Sequence, residues 1–227
     1  LGEDFYVEKA TKKTPSMFID YRNKKTCLNN LELSLLGGFQ ARNAALALSA
    51  CLHHAHKNGK DINEQSIRKA LRETSWSGRM EVISLRPTII LDTAHNPAAV
   101  KELAKSVQEL FSYARVILIL GVMNDKQADE IFKKLANFAD HFILVRPNQE
   151  RSENPTKLKQ ISKKYKSSCE IIENIPKAIL KAKKYALPDD MICVTGSIFT
   201  VGEAKQYFDN EPNFKTNFSP STNLHLS

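Results

Sequence analysis

From residue 80 onward, the chain alternates short apolar segments with longer segments of helical periodicity. Strands separated by helices of roughly 10–15 residues form βαβ units, in which successive strands run parallel. We therefore predict an α/β fold with a mainly parallel sheet and flanking helices. The predicted strands are Met80–Leu85, Thr88–Asp92, Arg115–Leu120, His141–Arg146, Cys169–Ile172 and Met191–Thr195, and the predicted helices are Pro97–Leu110, Lys126–Phe138, Asn154–Lys166 and Pro176–Tyr185.

The first 76 residues follow a different pattern. Two short segments with bunched or alternating apolar residues, Asp4–Glu8 and Ser16–Asp20, are predicted strands. A strongly helical segment follows at Ala41–Lys57, and Asn63 is placed to cap a second helix. Ser75–Gly78 has the composition of a linker. The expected domains are residues 1–76 and 77–209, followed by a loose Asn-, Ser- and Pro-rich tail at 210–227.

The composition indicates a globular protein rather than a membrane protein. Hydrophobic residues make up 42% of the 227 residues, yet no apolar run approaches the roughly 18–20 residues that span a bilayer. The chain starts with Leu and shows no secretory signal, so we expect a fragment or a processed product. Four cysteines without a C-x-x-C pair indicate free thiols and a reducing compartment, the cytoplasm.

The net charge of +8 leaves a second class of function open. A basic balance favours anionic partners, nucleic acid among them. However, no dense Arg/Lys block with interleaved aromatic residues is present, and scattered solvated lysines account for the charge. We therefore keep a standalone nucleic-acid-binding α/β module only as a less favoured hypothesis.

Polar chemistry is concentrated where the second predicted strand ends. The apolar run Ile89–Leu91 leads directly into Asp92, and His95 and Asn96 follow before Pro97 opens a helix. Ligands of open α/β sheets bind at the carboxyl ends of the strands. Asn96 and Pro97 have the pattern of a helix cap and first helical residue, which leaves Asp92 and His95 free to act.

Four weaker signals accompany this motif. Gly78-Arg79 places a guanidinium at the domain boundary, where it could bind a phosphate or be a surface group. Gly38–Asn43 opens a helix with amides one turn apart. Gly121–Lys126 is either a phosphate loop or a turn in which Asp125 caps a helix, and Thr195–Ser197 ends the last strand. Neither G-x-x-x-x-G-K-[ST] nor G-x-G-x-x-G occurs in the chain.

A cluster of His53, His54 and His56 near Cys51 invites a zinc interpretation. Zinc sites require a second ligand pair at characteristic spacing, and the sequence offers none. We interpret these residues as a solvated helix face.

The order of the motifs resembles one enzyme family. Gly-Phe-Gln-x-x-Asn-Ala is followed by Ser-Gly-Arg-Met-Glu, Leu-Asp-Thr-Ala-His-Asn-Pro, Leu-Gly-Val-Met-Asn-Asp-Lys and Thr-Gly-Ser-Ile-Phe-x-Val-Gly-Glu. Over residues 35–208 this series is similar to the folylpolyglutamate synthase/dihydrofolate synthase family of the Mur-ligase superfamily. The Asp-x-Ala-His-Asn-Pro and closing Gly-Ser-x-x-x-Val-Gly-Glu elements are its most specific parts.

The resemblance implies an ATP-dependent acid–amino-acid ligase. Such enzymes use Mg-ATP to phosphorylate a carboxylate of a folate or dihydropteroate, and L-glutamate then attacks the acyl phosphate. It also implies that residues 1–76 are the distal part of a central P-loop ATPase domain and that residues 77–209 form a Rossmann-like C-terminal domain that closes over the nucleotide. The P-loop and the Mg²⁺ ligands are then expected in an N-terminal part of the same protein, and the chain alone is expected to be inactive.

Particular residues take roles from the same resemblance. Asn43 matches an asparagine that contacts ATP, and Arg79 matches an arginine that reaches the ATP phosphates. Asp92 matches an aspartate at the nucleotide and His95 its neighbour in the motif, so that Arg79 and His95 are the expected catalytic residues. Ser197 is expected to border the glutamate.

The sequence also departs from the family pattern. Phe39 replaces a usual histidine, Ser77 a frequent proline and Thr93 a frequent glycine, which puts only the role of the missing imidazole in doubt.

A cell-wall muramyl-peptide amino-acid ligase of the same superfamily remains the alternative. Gly78–Glu81 resembles those enzymes as well, and Arg151–Pro155 is faintly similar to their amino-acid-binding segment. The Gly-Ser-Ile-Phe ending favours the folate enzymes.

Overall fold

The structure is a computed structural model that describes residues 4–13, 16–165 and 167–211. The chain divides into two compact units between Trp76 and Ser77. The predicted loose tail lies, from residue 212 onward, outside the described residues. No helix in the described part of the chain is long and apolar enough to cross a membrane.

The first unit is a three-stranded antiparallel sheet with two helices. Its strand order is β1-β2-β3, and its core joins the alternate apolar residues of β2 and β3 to the buried face of α1. Tyr21 is fully buried, and its hydroxyl lies 2.8 Å from Ser49 Oγ of α1, which ties the sheet to the helix. The elements are β1 (Phe5–Lys13), β2 (Ser16–Asn23), β3 (Cys27–Leu33), α1 (Gly38–Lys57) and α2 (Glu64–Glu73).

The second unit is a six-stranded sheet with five helices. Its strand order is β4-β5-β9-β6-β7-β8, with β4 antiparallel to β5 and every other pair parallel, which confirms the predicted fold class. The elements are β4 (Glu81–Leu85), β5 (Thr88–Leu91), α3 (Pro97–Leu110), β6 (Val116–Leu120), α4 (Ala128–Leu135), β7 (His141–Leu144), α5 (Pro155–Lys164), β8 (Cys169–Ile171), α6 (Ile175–Tyr185), β9 (Met191–Thr195) and α7 (Ile198–Asn210).

Helices cover the sheet on both faces. Every residue of β6 and β9 is buried, as expected for central strands of a parallel sheet. Alternate residues of the central strands, such as Ile119 and Val194, form one core with α6 and α7. The intervening residues face the other way, and there Phe142 of β7 stacks on Phe132 of α4 with ring centroids 5.1 Å apart.

Sequence reasoning missed α7 and β3. Gly202 lies in the middle of α7 and weakens its helical signal. Val201, Ala204 and Phe208 nevertheless bury one face of this helix against the sheet, so tertiary packing outweighs the low local propensity.

Candidate functional site

The site is built from the carboxyl ends of neighbouring strands. Strands β5, β9 and β6 lie side by side and parallel, so the segments that follow them meet at one edge. Because β4 runs antiparallel to β5, with Glu81 opposite Leu91, residues preceding β4 lie beside residues following β5. This register brings Arg79 and His95 to the same edge although 16 positions separate them.

A cleft of about 290 Å³ opens at this edge. Three of its side chains are cationic and one is a carboxylate, so it favours an anionic ligand. Among the described residues, the guanidinium groups of Arg79 and Arg151 have no side-chain hydrogen bond or ion pair, and both remain available to bind a phosphate or carboxylate. The cleft is lined by Arg79, Thr93, His95, Met123, Asp125, Lys126, Arg151, Ser197, Ile198 and Phe199; below we call it the anion cleft.

The hydrogen bonding of His95 defines its tautomer. Its Nδ1 lies 2.9 Å from the carbonyl oxygen of Thr93, which can only accept, so Nδ1 carries the proton. The ring is exposed and lines the anion cleft. In the neutral imidazole, Nε2 is therefore the nitrogen left to accept a proton.

Asp92 has a different environment from the one expected of a ligand contact. Its side chain is 4% exposed and does not line the anion cleft. Its two oxygens accept the backbone N–H groups of Met80 and Ala94, each at 2.9 Å. Burial raises the pKa of this carboxyl, while the two hydrogen bonds and the charge of Arg79 act in the opposite direction. The geometry favours a structural role at the site rather than direct contact with a nucleotide.

Two cations of the cleft were not singled out as site residues by sequence reasoning. Lys126 forms an ion pair with Asp125 at 3.2 Å, and this pairing lowers the pKa of the Asp125 carboxyl. Asp125 does not cap α4, whose N-cap is Gln127. Arg151 is brought opposite this turn because Asn124 N–H donates to its carbonyl oxygen. Lys126 ends the Leu-Gly-Val-Met-Asn-Asp-Lys motif, whereas Arg151 lies outside the motif series, in the segment noted for its faint similarity to cell-wall ligases. The sequence did not show that these two loops pair.

Glycines allow the two central loops of the site to approach closely. Gly196 has a φ of +108°, and a Cβ there would lie 2.6 Å from the carbonyl oxygen of Gly121. A Cβ on Gly121 would lie 2.5 Å from Thr200 Oγ1. The Gly-Ser and Gly-Val motifs are thus required by the packing of the strand ends, whatever ligand they face.

Two helices begin at the same edge. Asn96 caps α3 by accepting the N–H of Ala99, and Ser197 caps α7 by accepting the N–H of Thr200. Helix N-termini carry partial positive charge, which adds to the attraction for anions. The hydroxyl of Ser197 also lies 2.8 Å from Thr200 Oγ1, so it is engaged within the protein while the residue lines the cleft.

The remaining predicted residue, Asn43, belongs to the first unit. It is exposed on α1, and its side-chain amide donates to Gln40 Oε1 at 3.0 Å. Its contact with ATP stays a prediction. In the described residues, no group of three or more His, Cys, Asp or Glu side chains could hold a metal ion.

A larger cleft of about 510 Å³ lies at the opposite edge of the sheet, where β6, β7 and β8 begin. Its polar groups pair with one another or with the protein around them. Arg115 binds Asp190, and His141 contacts Ser168 and Glu170. None of the motif residues lines it, so it is not the candidate site.

The second unit is an α/β domain of the Mur-ligase type, with the anion cleft at the carboxyl edge of its sheet. The family model described as the Mur ligase, glutamate ligase domain matches residues 78–198. The chain belongs to this superfamily, and within it to the folylpolyglutamate synthase/dihydrofolate synthase family, as a C-terminal portion.

Similar proteins include two curated relatives and one solved structure. A probable bifunctional folylpolyglutamate synthase/dihydropteroate synthase of Haloferax volcanii is 33% identical over 177 residues, which is 78% of this chain and 20% of that protein. A dihydrofolate synthase/folylpolyglutamate synthase of Bacillus subtilis is 26% identical over 82% of this chain and 43% of its own length. Folylpolyglutamate synthase of Mycobacterium tuberculosis, solved with ADP, has a TM-score of 0.83 at 24% identity over 92% of this chain and 48% of that one.

The chain spans less than half of the length of each of these relatives. The similarity to the mycobacterial structure shows the fold alone.

Proposed function

We propose that this chain supplies the C-terminal part of an ATP-dependent ligase that adds L-glutamate to a folate. The observation that carries the proposal is the anion cleft, which Arg79, Lys126 and Arg151 line together with His95. The names of the relatives favour a folate substrate over the cell-wall alternative. The proposed acceptor is tetrahydrofolate polyglutamate, dihydropteroate or both.

Each step of the reaction involves negatively charged species. A carboxylate oxygen of the folate attacks the γ-phosphorus of ATP, and ADP leaves. The amino nitrogen of glutamate then attacks the acyl carbon, a proton is lost from nitrogen, and inorganic phosphate leaves as the amide forms. Fixed cations stabilise such charge best in a site with little water.

The residues of the cleft suit these steps. We assign Arg79 to the phosphate that is transferred, because its planar guanidinium can bind two phosphate oxygens at once. We assign Lys126 and Arg151 to the carboxylates of glutamate, with Ser197 at their border. His95 can accept the proton that the glutamate nitrogen loses, because Nδ1 is committed to Thr93 and Nε2 is not.

The proposed enzyme also needs groups outside the cleft. A P-loop domain of the same protein would hold ATP and Mg²⁺, and Asn43 in the distal part of that domain would contact ATP. We place the protein in the cytoplasm, which suits its free cysteines Cys27, Cys51, Cys169 and Cys193.

The decisive variant is Arg79→Ala in the complete enzyme. A hydrogen bond to a charged group contributes about 1.5–3 kcal/mol, so kcat/KM for glutamate ligation should fall about 10- to 100-fold with no loss of folded protein. Arg86→Ala is the matched control, since Arg86 is exposed in the turn between β4 and β5 at the opposite edge. Unchanged turnover of Arg79→Ala would refute the assignment.

Complementation separates the folate from the cell-wall interpretation. The full-length gene should restore growth of a strain that requires glutamylated folate. Rescue of a strain lacking a muramyl-peptide ligase instead would overturn the substrate class.

A further inference from the structure

Asp92 is a buried charged group that the assignments above leave without a role. Its side chain is buried and does not line the anion cleft. A buried carboxylate is costly unless it is fully hydrogen-bonded. The hydrogen-bond partners of the Asp92 carboxylate therefore indicate its role in the protein.

Each oxygen of Asp92 holds a different side of the site. Oδ2 accepts the N–H of Met80, the residue that follows Arg79, at 2.9 Å. Oδ1 accepts the N–H of Ala94, the residue that precedes His95, also at 2.9 Å. One carboxylate thus joins the segment that carries the arginine to the segment that carries the histidine.

The backbone around Arg79 needs such support. Met80 has a φ of +45°, a left-handed conformation that is uncommon for a residue with a side chain. Gly78 on the other side of Arg79 has a φ of +71°, and its N–H donates to Glu81 Oε2 at 2.8 Å. Arg79 is therefore flanked by two left-handed residues, each held by a carboxylate, and the direction of its side chain depends on both.

The segment around His95 is tied in the same way. The carbonyl oxygen of Ala94 accepts the N–H of Gly196 and the hydroxyl of Thr195. The N–H of Thr93 donates to the carbonyl oxygen of Gly78. The Asp92 carboxylate accepts the N–H groups of Met80 and Ala94, which come after Gly78 and Thr93 in the chain. Its two hydrogen bonds therefore flank the hydrogen bond between Thr93 and Gly78.

We propose that Asp92 is a positioning residue: its carboxylate fixes the Arg79 and His95 segments relative to each other, and it acts on the ligand only through them. The inference rests on the proposed function for its effect on ligation, while the hydrogen bonds it invokes exist in the protein without ligand. Displacing a binding group by about 1 Å can reduce rate about 100-fold, so the effect of losing this anchor is measurable.

The test begins with the 227-residue chain free of ligand. In Asp92→Asn only one acceptor oxygen remains, so either Met80 or Ala94 loses its partner. Amide hydrogen exchange at Met80 or Ala94 should accelerate at least about tenfold. Asp190→Asn is the matched control, because Asp190 is equally buried and accepts the N–H of Leu187, but lies at the opposite edge of the sheet. Unchanged exchange at both Met80 and Ala94 would overturn the proposal.

A double-mutant cycle then asks whether Asp92 acts through Arg79. In the complete enzyme, Asp92→Asn should lower kcat/KM about 10- to 100-fold when Arg79 is present. The loss should be clearly smaller in the Arg79→Ala background, where only the effect through His95 remains, since residues that act as a unit are not additive. Equal losses in both backgrounds would show direct contact with substrate or a general destabilisation, and would overturn the proposal.

If the complete enzyme ligates no glutamate, the proposed function fails, but the same cycle with pyrophosphate binding to the 227-residue chain still decides the role of Asp92. If Asp92→Asn does not fold, Asp92→Glu replaces it. This variant keeps the charge, but its longer side chain displaces the two oxygens from the N–H groups of Met80 and Ala94, so the same outcomes are expected.

Discussion

At the scale of single residues, the site depends on backbone conformations that few side chains permit. Gly78 and Gly196 both have positive φ values, and both lie where two loops of the anion cleft cross. Arg79 and Ser197 follow them directly in the chain. The positions of these two polar residues therefore depend on the backbone conformation of the preceding glycines, which themselves contact no ligand through a side chain.

Gly196→Ala should destabilise the second unit and weaken the site. The added Cβ would meet backbone at 2.6 Å in a left-handed conformation, and such strain costs about 1–3 kcal/mol. Denaturant unfolding measures the loss. The control is Gly202→Ala in the middle of α7, where nothing lies within 4 Å of the new Cβ and where helix propensity predicts a gain of about 0.5–1 kcal/mol. Equal effects of the two substitutions would contradict this account.

At the scale of elements, the helices of the second unit begin in a repeated way. Asn96, Asn154 and Asn174 each accept a backbone N–H of the first turn, and each is followed within two residues by a proline. This pattern is readable from sequence, because the cap and the proline have fixed positions. It explains why α3, α5 and α6 were predicted nearly to their first residue.

Asn174→Ala tests the contribution of one such cap. The side chain of Asn174 accepts the N–H of Lys177 at 2.9 Å, and removing a cap of this kind costs about 1 kcal/mol. Asn174→Asp keeps an acceptor and should lose little. Both are compared by thermal unfolding, and a loss in Asn174→Asp as large as that in Asn174→Ala would show that packing, not capping, is measured.

The starts of β6 and β9 are joined by an ion pair with a predictable pH dependence. Arg115 binds the buried Asp190, and this hydrogen-bonded pairing lowers the pKa of the Asp190 carboxyl below its ordinary value of 3.8. A lowered folded-state pKa contributes stability that is present above the ordinary value and is lost as the pH falls through the lowered one.

The free energy of unfolding should therefore fall more steeply below pH 4 in the wild-type protein than in Asp190→Asn. Denaturant unfolding at several pH values between about 7 and 3 measures the difference. Arg115→Gln, which removes the partner and keeps the carboxyl, should also show a shallower dependence. A wild-type advantage that stayed constant down to pH 3 would argue against the lowered pKa.

At the scale of the whole molecule, the sequence predicted fold class and family but not the roles of all its motif residues. The alternation of apolar strands with helices was sufficient to predict the parallel sheet. The position of β9 between β5 and β6 was not readable, since strand order depends on long-range packing. The same limit hid the burial of Asp92, because a strand-end carboxylate has one sequence pattern whether it faces a ligand or a neighbouring backbone.

The central claim is that the carboxyl edge of the second unit binds the phosphates of a nucleotide. A titration of the ¹⁵N-labelled 227-residue chain with a non-hydrolysable ATP analogue and Mg²⁺, followed by amide chemical shifts, tests it most directly. The account predicts weak, saturable shifts at the amides around Arg79 and His95, and their loss in Arg79→Ala. Shifts confined to the opposite edge around Arg115 and His141, or tight binding that is indifferent to Arg79, would contradict it.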